Sequence, residues 1–219
     1  MTKFKNVKTI IFDYDGTLHD SSRIYIPAFK RAYAYLVENE QAPEKVFQDQ
    51  EITRWLGYSK KEMWELFMPH LVDAHKNEAS RLIGETMVDK ISRKEAHLYP
   101  DALETLAYLK EKYTLIFLSN CSIDYMESHA DMFNLRDYFT DMYCTEMYDF
   151  KKSKKEIVAD FKHKYPSEYA IVGDRHQDLE VGELDQTYAI GCSYGFGQKE
   201  ELAQADNVIS DIAELKNMF

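Results

Sequence analysis

Apolar residues run almost without interruption through positions 7–12 and stop at Asp13. A β-branched run of this length, ended abruptly by a polar loop, predicts a strand buried on both faces. The pattern returns at 113–118 ahead of Ser119 and Asn120, at 169–172 ahead of Gly173 and Asp174, and at 187–190 ahead of Gly191. Shorter runs at 142–144 and 207–210 predict two further strands. Between the strands the period lengthens. Behind Pro100, the residues Ala102, Leu103, Leu106, Ala107 and Leu109 fall on one helical face, with Asp101 as an N-cap whose carboxylate accepts a free N–H. Another helix is expected over 154–161. Strands alternating with helices predict an α/β fold, a Rossmann-like, mostly parallel sheet with helices on both faces. Ligands in such sheets collect at the carboxyl ends of the strands, which is where the polar clusters fall.

From about 20 to 95 the alternation ceases and helical spacing dominates. The expected helices carry Ile24, Ala28, Ala32 and Leu36, then Val46, Ile52, Trp55 and Leu56, then Met63, Trp64, Leu66 and Phe67, then Leu82, Ile83 and Met87. None of these segments reads as a strand of the main sheet. The organisation expected is a first core segment at 1–19, an inserted helical cap at 20–95 covering the strand ends, and a second core segment at 96–219.

Composition narrows the partners. The chain has 38 Asp and Glu against 27 Lys and Arg, a formal charge of −11, which repels a polyanionic backbone at long range, so nucleic acid is not expected as a partner. A small phosphorylated metabolite remains compatible, because a local pocket of lysine, backbone N–H groups and metal suffices to hold it. Cys121, Cys144 and Cys192 form no paired spacing, which points to a reducing, cytoplasmic setting. The first apolar segment meets Asp13 too early for a secretion signal, and no apolar run reaches the length of a membrane span. Either a monomer or a homodimer is compatible with the sequence.

The chemistry concentrates in two acidic loops. Asp13 and Asp15 stand two apart ahead of Gly16 and Thr17, so an extended backbone brings both carboxylates to one polar site, and Gly16 leaves room for a phosphate beside the main chain. One carboxylate can attack as nucleophile while the other handles the proton, provided their surroundings separate their proton affinities. Asp174 and Asp178 follow another strand and, with Asp13, offer the oxygen ligands that Mg²⁺ prefers. Taken singly, either acidic loop is equally a turn or a calcium loop. It is the convergence of several strand ends on one sheet edge that favours a catalytic site.

These residues carry a resemblance to a known family. The run Asp13-Tyr14-Asp15-Gly16-Thr17-Leu18 resembles the Asp-x-Asp-Gly-Thr pattern of the haloacid-dehalogenase-like hydrolases. The run from Gly173 to Asp178 resembles the stretch that carries their metal-binding acids, and the likeness extends over nearly the whole chain. The resemblance is particularly to helical-cap phosphatases and phosphomutases such as phosphoglycolate phosphatase and β-phosphoglucomutase. The resemblance implies an aspartyl-phosphate on Asp13 and proton transfer by Asp15. It also implies Mg²⁺ held by Asp13, the backbone carbonyl of Asp15, Asp174 and Asp178, and a phosphoryl group held by Ser119 and Asn120. For the family's lysine the common Lys-Pro signature is missing, and Lys154 is preferred over Lys152. The Gly-aromatic-Gly stretch at 191–197 and the Asp20-Ser21 pair also match the family.

The activity implied is a Mg²⁺-dependent phosphatase acting on a phosphate monoester. A phosphomutase of the β-phosphoglucomutase type, or a non-catalytic metal- or partner-binding relative, is the alternative. Carbon–halogen hydrolysis does not need Asp15, and phosphonate hydrolysis would need a distinguished cap lysine, which neither Lys60 nor Lys61 is. Arg23, Arg54, Trp55, Lys60 and Lys61 are cap residues that could touch a substrate, although exposed charges on an amphipathic lobe are more often solvated surface.

Overall fold

The computed structural model describes residues 3–219. Six strands form one sheet in the order β3-β2-β1-β4-β5-β6, every neighbouring pair parallel. They are β1 (Thr9–Phe12), β2 (Thr114–Ser119), β3 (Asp141–Cys144), β4 (Tyr169–Gly173), β5 (Thr187–Cys192) and β6 (Asn207–Ile209). All six expected strands are present, with ends shifted by one or two residues. Alternate residues face opposite sides of the sheet. Ile10, Phe12, Leu115, Phe117, Ala170 and Val172 join the larger core cluster, whereas Ile11, Ile116, Leu118 and Ile171 pack with Ile157, Val158 and Phe161 on the other face. Burial on both faces is the physical reason these strands read as unbroken apolar runs.

Five helices lie between β1 and β2: α1 (Ser22–Glu38), α2 (Asp49–Thr53), α3 (Lys60–Phe67), α4 (Asp73–Ser92) and α5 (Ala102–Lys110). The first four form a helical region inserted into an α/β sheet, held together mainly by α1 packing along α4. Aromatic rings fill its interior, where Phe29, Tyr33, Phe47 and Phe67 have centroids 4.7–6.4 Å apart. Further along come α6 (Ile123–Phe133), α7 (Lys154–Phe161) and α8 (His176–Leu179), then α9 (Lys199–Leu202) and α10 (Leu215–Met218).

Some expectations at residue level are corrected. Val46 lies outside any helix and is 90% exposed, and Leu66, although on α3, is 60% exposed. An apolar residue at helical spacing is not thereby buried, because in this region the aromatic rings already fill the interior. Asp101 occupies the N-cap of α5, but with left-handed backbone (φ 59°) and no hydrogen bond from its side chain to the helix. A capping side chain ordinarily sits on extended backbone, and the left-handed turn at Asp101 departs from that geometry.

The strand order creates a switch point. From β1 the chain works outward through β2 and β3, then returns to place β4 on the other side of β1. Loops leaving β1 and β4 therefore diverge and leave a crevice at their carboxyl ends, the place where such sheets bind ligands. Phe12 pairs with Val172, and Asp13 N–H continues the ladder to Val172 O at 2.9 Å. Asp13 and Asp174 consequently emerge side by side.

Candidate active site

Each acid is positioned by a local backbone feature. Asp13 follows β1 directly. Its Oδ2 accepts a hydrogen bond from Thr17 Oγ1 at 3.1 Å, within a loop closed by Leu18 and His19 N–H groups on Tyr14 O. Gly16, at φ +90°, lets that loop turn beneath Asp174, for a Cβ there would stand 2.4 Å from Asp174 Oδ2. Asp174 follows β4, and its Oδ2 accepts the Phe196 N–H at 2.6 Å. Asp178, on α8, turns back so that its Oδ2 accepts the Arg175 N–H at 3.0 Å. One oxygen from each of Asp13, Asp174 and Asp178 lies within 4.8 Å of the others, and all three residues are buried.

Lys154 enters this cluster from the start of α7. Ser153 caps that helix, its Oγ accepting from Glu156 N–H at 3.2 Å while Glu156 returns the bond to Ser153 N–H at 2.8 Å. This capping box fixes Lys154 as the first helical residue and aims it inward. Its Nζ, on a residue only 3% exposed, donates to Asp13 Oδ1 and to Asp178 Oδ1, the latter at 2.6 Å. Lys152, the other lysine considered, is exposed and pairs with Asp160 on the surface.

Lys154 bonds two of the three buried carboxylates, and the proton affinities of the cluster reflect the crowding. Burial, and then the Asp178 charge, push Asp13 up to about 7 against the opposing pull of Lys154. Burial, followed by Asp13 and Asp178, holds Asp174 well above the ordinary carboxylate range. Burial disfavours the Lys154 charge, yet the neighbouring Asp13 and Asp178 outweigh it and raise its proton affinity. Fully ionised, the three carboxylates would outnumber the single ammonium, and Asp174 Oδ1 is buried without a hydrogen-bond partner. A hard divalent cation fits both observations, since it favours carboxylate oxygens and supplies the missing positive charge.

Asp15 has different neighbours. Its Oδ1 lies 2.8 Å from His19 Nδ1 and accepts the Tyr125 hydroxyl at 2.8 Å. Burial alone would raise its proton affinity, but the hydrogen bond and charge of His19, with Tyr125, prevail and hold it below the usual value. Two carboxylates two residues apart are therefore separated electrostatically. Ser119, buried at the end of β2, lies two residues beyond Phe117, the partner of Phe12. Asn120 reaches the inserted region, where its Nδ2 donates to Gly57 O at 3.0 Å.

The inserted region is docked against the site. Arg175 Nη1 donates to Leu56 O and to Arg54 O, the latter at 3.3 Å, while Nε donates to Glu201 at 3.0 Å. Its guanidinium carbon lies 4.5 Å from the Tyr58 ring centroid. Gly57 is required where it stands, with φ +86° and a hypothetical Cβ 2.5 Å from Arg175 Cγ. Of the cap residues expected to touch a substrate, Trp55 and Lys60 line the adjoining cleft. Arg23 pairs with Asp20, Arg54 lies over the Trp55 ring, and Lys61 pairs with Glu65.

Sequence reasoning did not single out His19, Tyr125 or Arg175. The spacing of four from Asp15 was the available signal for His19, and adjacency to Asp174 the signal for Arg175. Tyr125 is 110 residues from Asp15 and gave none.

Acids from two strand ends, clustered with a buried lysine at the switch point of a parallel sheet and roofed by inserted helices, define a hydrolase of the phosphatase type. The chain belongs to the haloacid dehalogenase-like hydrolases, whose family profile matches residues 7–184. It is similar to the phosphoglycolate phosphatase of Photobacterium profundum, 22% identical over 227 residues covering 98% of this chain and 96% of that protein. It is likewise similar to the phosphoglycolate phosphatase of Vibrio cholerae, at 27% identity with 96% of each chain covered. The fold matches the crystal structure of CbbY from Rhodobacter sphaeroides in complex with phosphate, with a TM-score of 0.76, 23% identity, and 95% and 96% of the two chains covered. Among the described residues no helix is long and apolar enough to cross a membrane.

Proposed function

We propose that this enzyme is a Mg²⁺-dependent phosphatase that hydrolyses a small phosphate monoester through a phosphorylated Asp13. The observation that carries the reading is the division of labour between neighbouring carboxylates. Asp13 lies in the buried cluster beside Lys154, whereas Asp15 is held apart by His19 and Tyr125. An Asp13 oxygen attacks phosphorus, and the P–O bond to the alcohol breaks as Asp15 delivers a proton to the departing oxygen. Asp15 then accepts a proton from the water that attacks the aspartyl-phosphate, releasing inorganic phosphate and restoring Asp13. The free Asp15 is biased towards the carboxylate, and the arriving phosphate charge raises its proton affinity by like-charge repulsion. Lys154 compensates charge on Asp13 and on the transferring group, and Ser119 and Asn120, with the loop through Gly16 and Thr17, hold the phosphoryl oxygens.

Asp13, Asp174 and Asp178, with the Asp15 carbonyl, are the proposed ligands of Mg²⁺, which when bound neutralises negative charge gathering on the phosphate. The proposed organisation is a core of 1–19 and 96–219 with 20–95 as its cap. The three free, buried cysteines support a cytoplasmic setting. The names of the curated relatives make 2-phosphoglycolate the first natural ester to assay.

The experiment is release of inorganic phosphate from p-nitrophenyl phosphate with and without Mg²⁺. Turnover should require the cation, and Asp13→Asn should lower kcat by roughly a thousandfold or more, as removal of a covalent nucleophile does in other enzymes. Turnover unaffected by the substitution would overturn the reading.

A further inference from the structure

A cleft of about 930 Å³ opens beside the site, between the inserted helices and the carboxyl edge of the sheet. Asp15 and Asn120 border it, so the alcohol part of a bound ester would extend into it. Its walls are largely apolar and aromatic, built from Trp55, Tyr58, Met63, Met87, Tyr125 and Phe150 among others. A two-carbon acid such as glycolate would occupy a small fraction of this volume and leave the rings and thioethers in contact with water.

The charges lining the cleft are six carboxylates against one ammonium. No arginine lines it, and its single lysine, Lys60, is exposed and donates to Asn77 Oδ1 at 2.9 Å. Besides Asp15, the lining includes Glu85, Asp89, Asp124, Glu127 and Asp131. Arg81, Arg93 and Arg136 pair with four of these from outside the cleft lining. Asp124 makes no ion pair among the described residues. Even with those four charges balanced and Asp15 held by His19, Asp124 offsets Lys60, so the lining keeps no net positive charge. Recognition of a second anionic group ordinarily uses a guanidinium fork or convergent cations, and the lining provides neither.

We propose that the substrate's alcohol is a bulky, ring-bearing group without negative charge, and that the cleft discriminates against esters carrying a carboxylate, 2-phosphoglycolate included. This assignment rests on the phosphatase reading and specifies its substrate class. Aromatic walls receive a ring through stacked or edge contacts, methionines adapt to its outline, and the carboxylates tolerate a neutral or cationic substituent.

The test compares kcat/KM for benzyl phosphate, 4-(aminomethyl)benzyl phosphate, 4-carboxybenzyl phosphate and 2-phosphoglycolate under one set of conditions with Mg²⁺, with p-nitrophenyl phosphate as the general phosphatase probe. The three benzyl esters share one leaving-group chemistry and differ in remote charge. The neutral and cationic esters should be comparable, and the carboxybenzyl ester and 2-phosphoglycolate each at least about tenfold poorer, a difference of about 1.4 kcal/mol. In Asp124→Lys the ratio of carboxybenzyl to benzyl turnover should rise several-fold. Either carboxylate ester matching benzyl phosphate, or an unchanged ratio in Asp124→Lys, would overturn the substrate assignment while leaving the phosphatase reading standing. Absence of turnover on every ester, p-nitrophenyl phosphate included, would overturn both.

Discussion

Asp13 and Asp15 illustrate how little sequence distance constrains electrostatic environment. Two residues of extended chain carry one carboxylate into a cluster of like charges and the other to a histidine and a tyrosine hydroxyl. Both donors converge on Asp15 Oδ1, and its second oxygen accepts no side-chain hydrogen bond among the described residues. Behind them lies His129, fully buried on α6, its ring centroid 4.6 Å from that of His19 and its Nδ1 3.1 Å from Tyr125 O. Burial, and then the neighbouring His19, push His129 down to about 3. Between about 3 and the ordinary value of 6.5 the unfolded chain binds a proton here that the folded chain does not. Stability therefore falls as pH falls through that window, by up to about 1.4 kcal/mol per pH unit from this group. Urea midpoints for the wild type and His129→Leu, measured across the window, should show a shallower acid loss in the variant. Parallel curves would mean that His129 is protonated in the fold.

At the level of elements, the strands were legible because a doubly covered sheet imposes unbroken apolar runs, and β1, β2, β4 and β5 satisfy that condition. The helix α6 was not singled out because its buried positions include His129 and Tyr125, chosen for the site rather than for an apolar stripe. Asp13, Asp174 and Lys154 were legible from their placement beside predicted elements and from the family pattern. The hold of the inserted helices on the core was not, because Arg175 and Asn120 meet backbone carbonyls of 54–57, and any residue type supplies a carbonyl. That contact has its own prediction. Gly57→Ala adds a Cβ at positive φ against Arg175, straining the docked loop by about 1 kcal/mol or more and raising KM by roughly fivefold. Steady-state kinetics on p-nitrophenyl phosphate would detect it, and an unchanged KM would show that this loop does not govern substrate entry.

For the whole molecule, a chain of net charge −11 gathers three acids around one lysine and still suits an anionic ester. The reconciliation is local, since the proposed divalent ion together with Lys154 would reverse the field at the cluster, while the outer cleft offers no net positive charge. Everything proposed about the chemistry returns to covalent capture of phosphate by Asp13. The direct measurement is a rapid-quench reaction of the Asp15→Asn enzyme with p-nitrophenyl phosphate, whose leaving group departs without a proton. Formation of the phosphoenzyme should then outrun its hydrolysis, giving a burst of p-nitrophenolate stoichiometric with enzyme and a phosphoryl group mapped by mass spectrometry to Asp13. A phosphoryl group on another residue, or turnover with no covalent phosphate at all, would contradict the account.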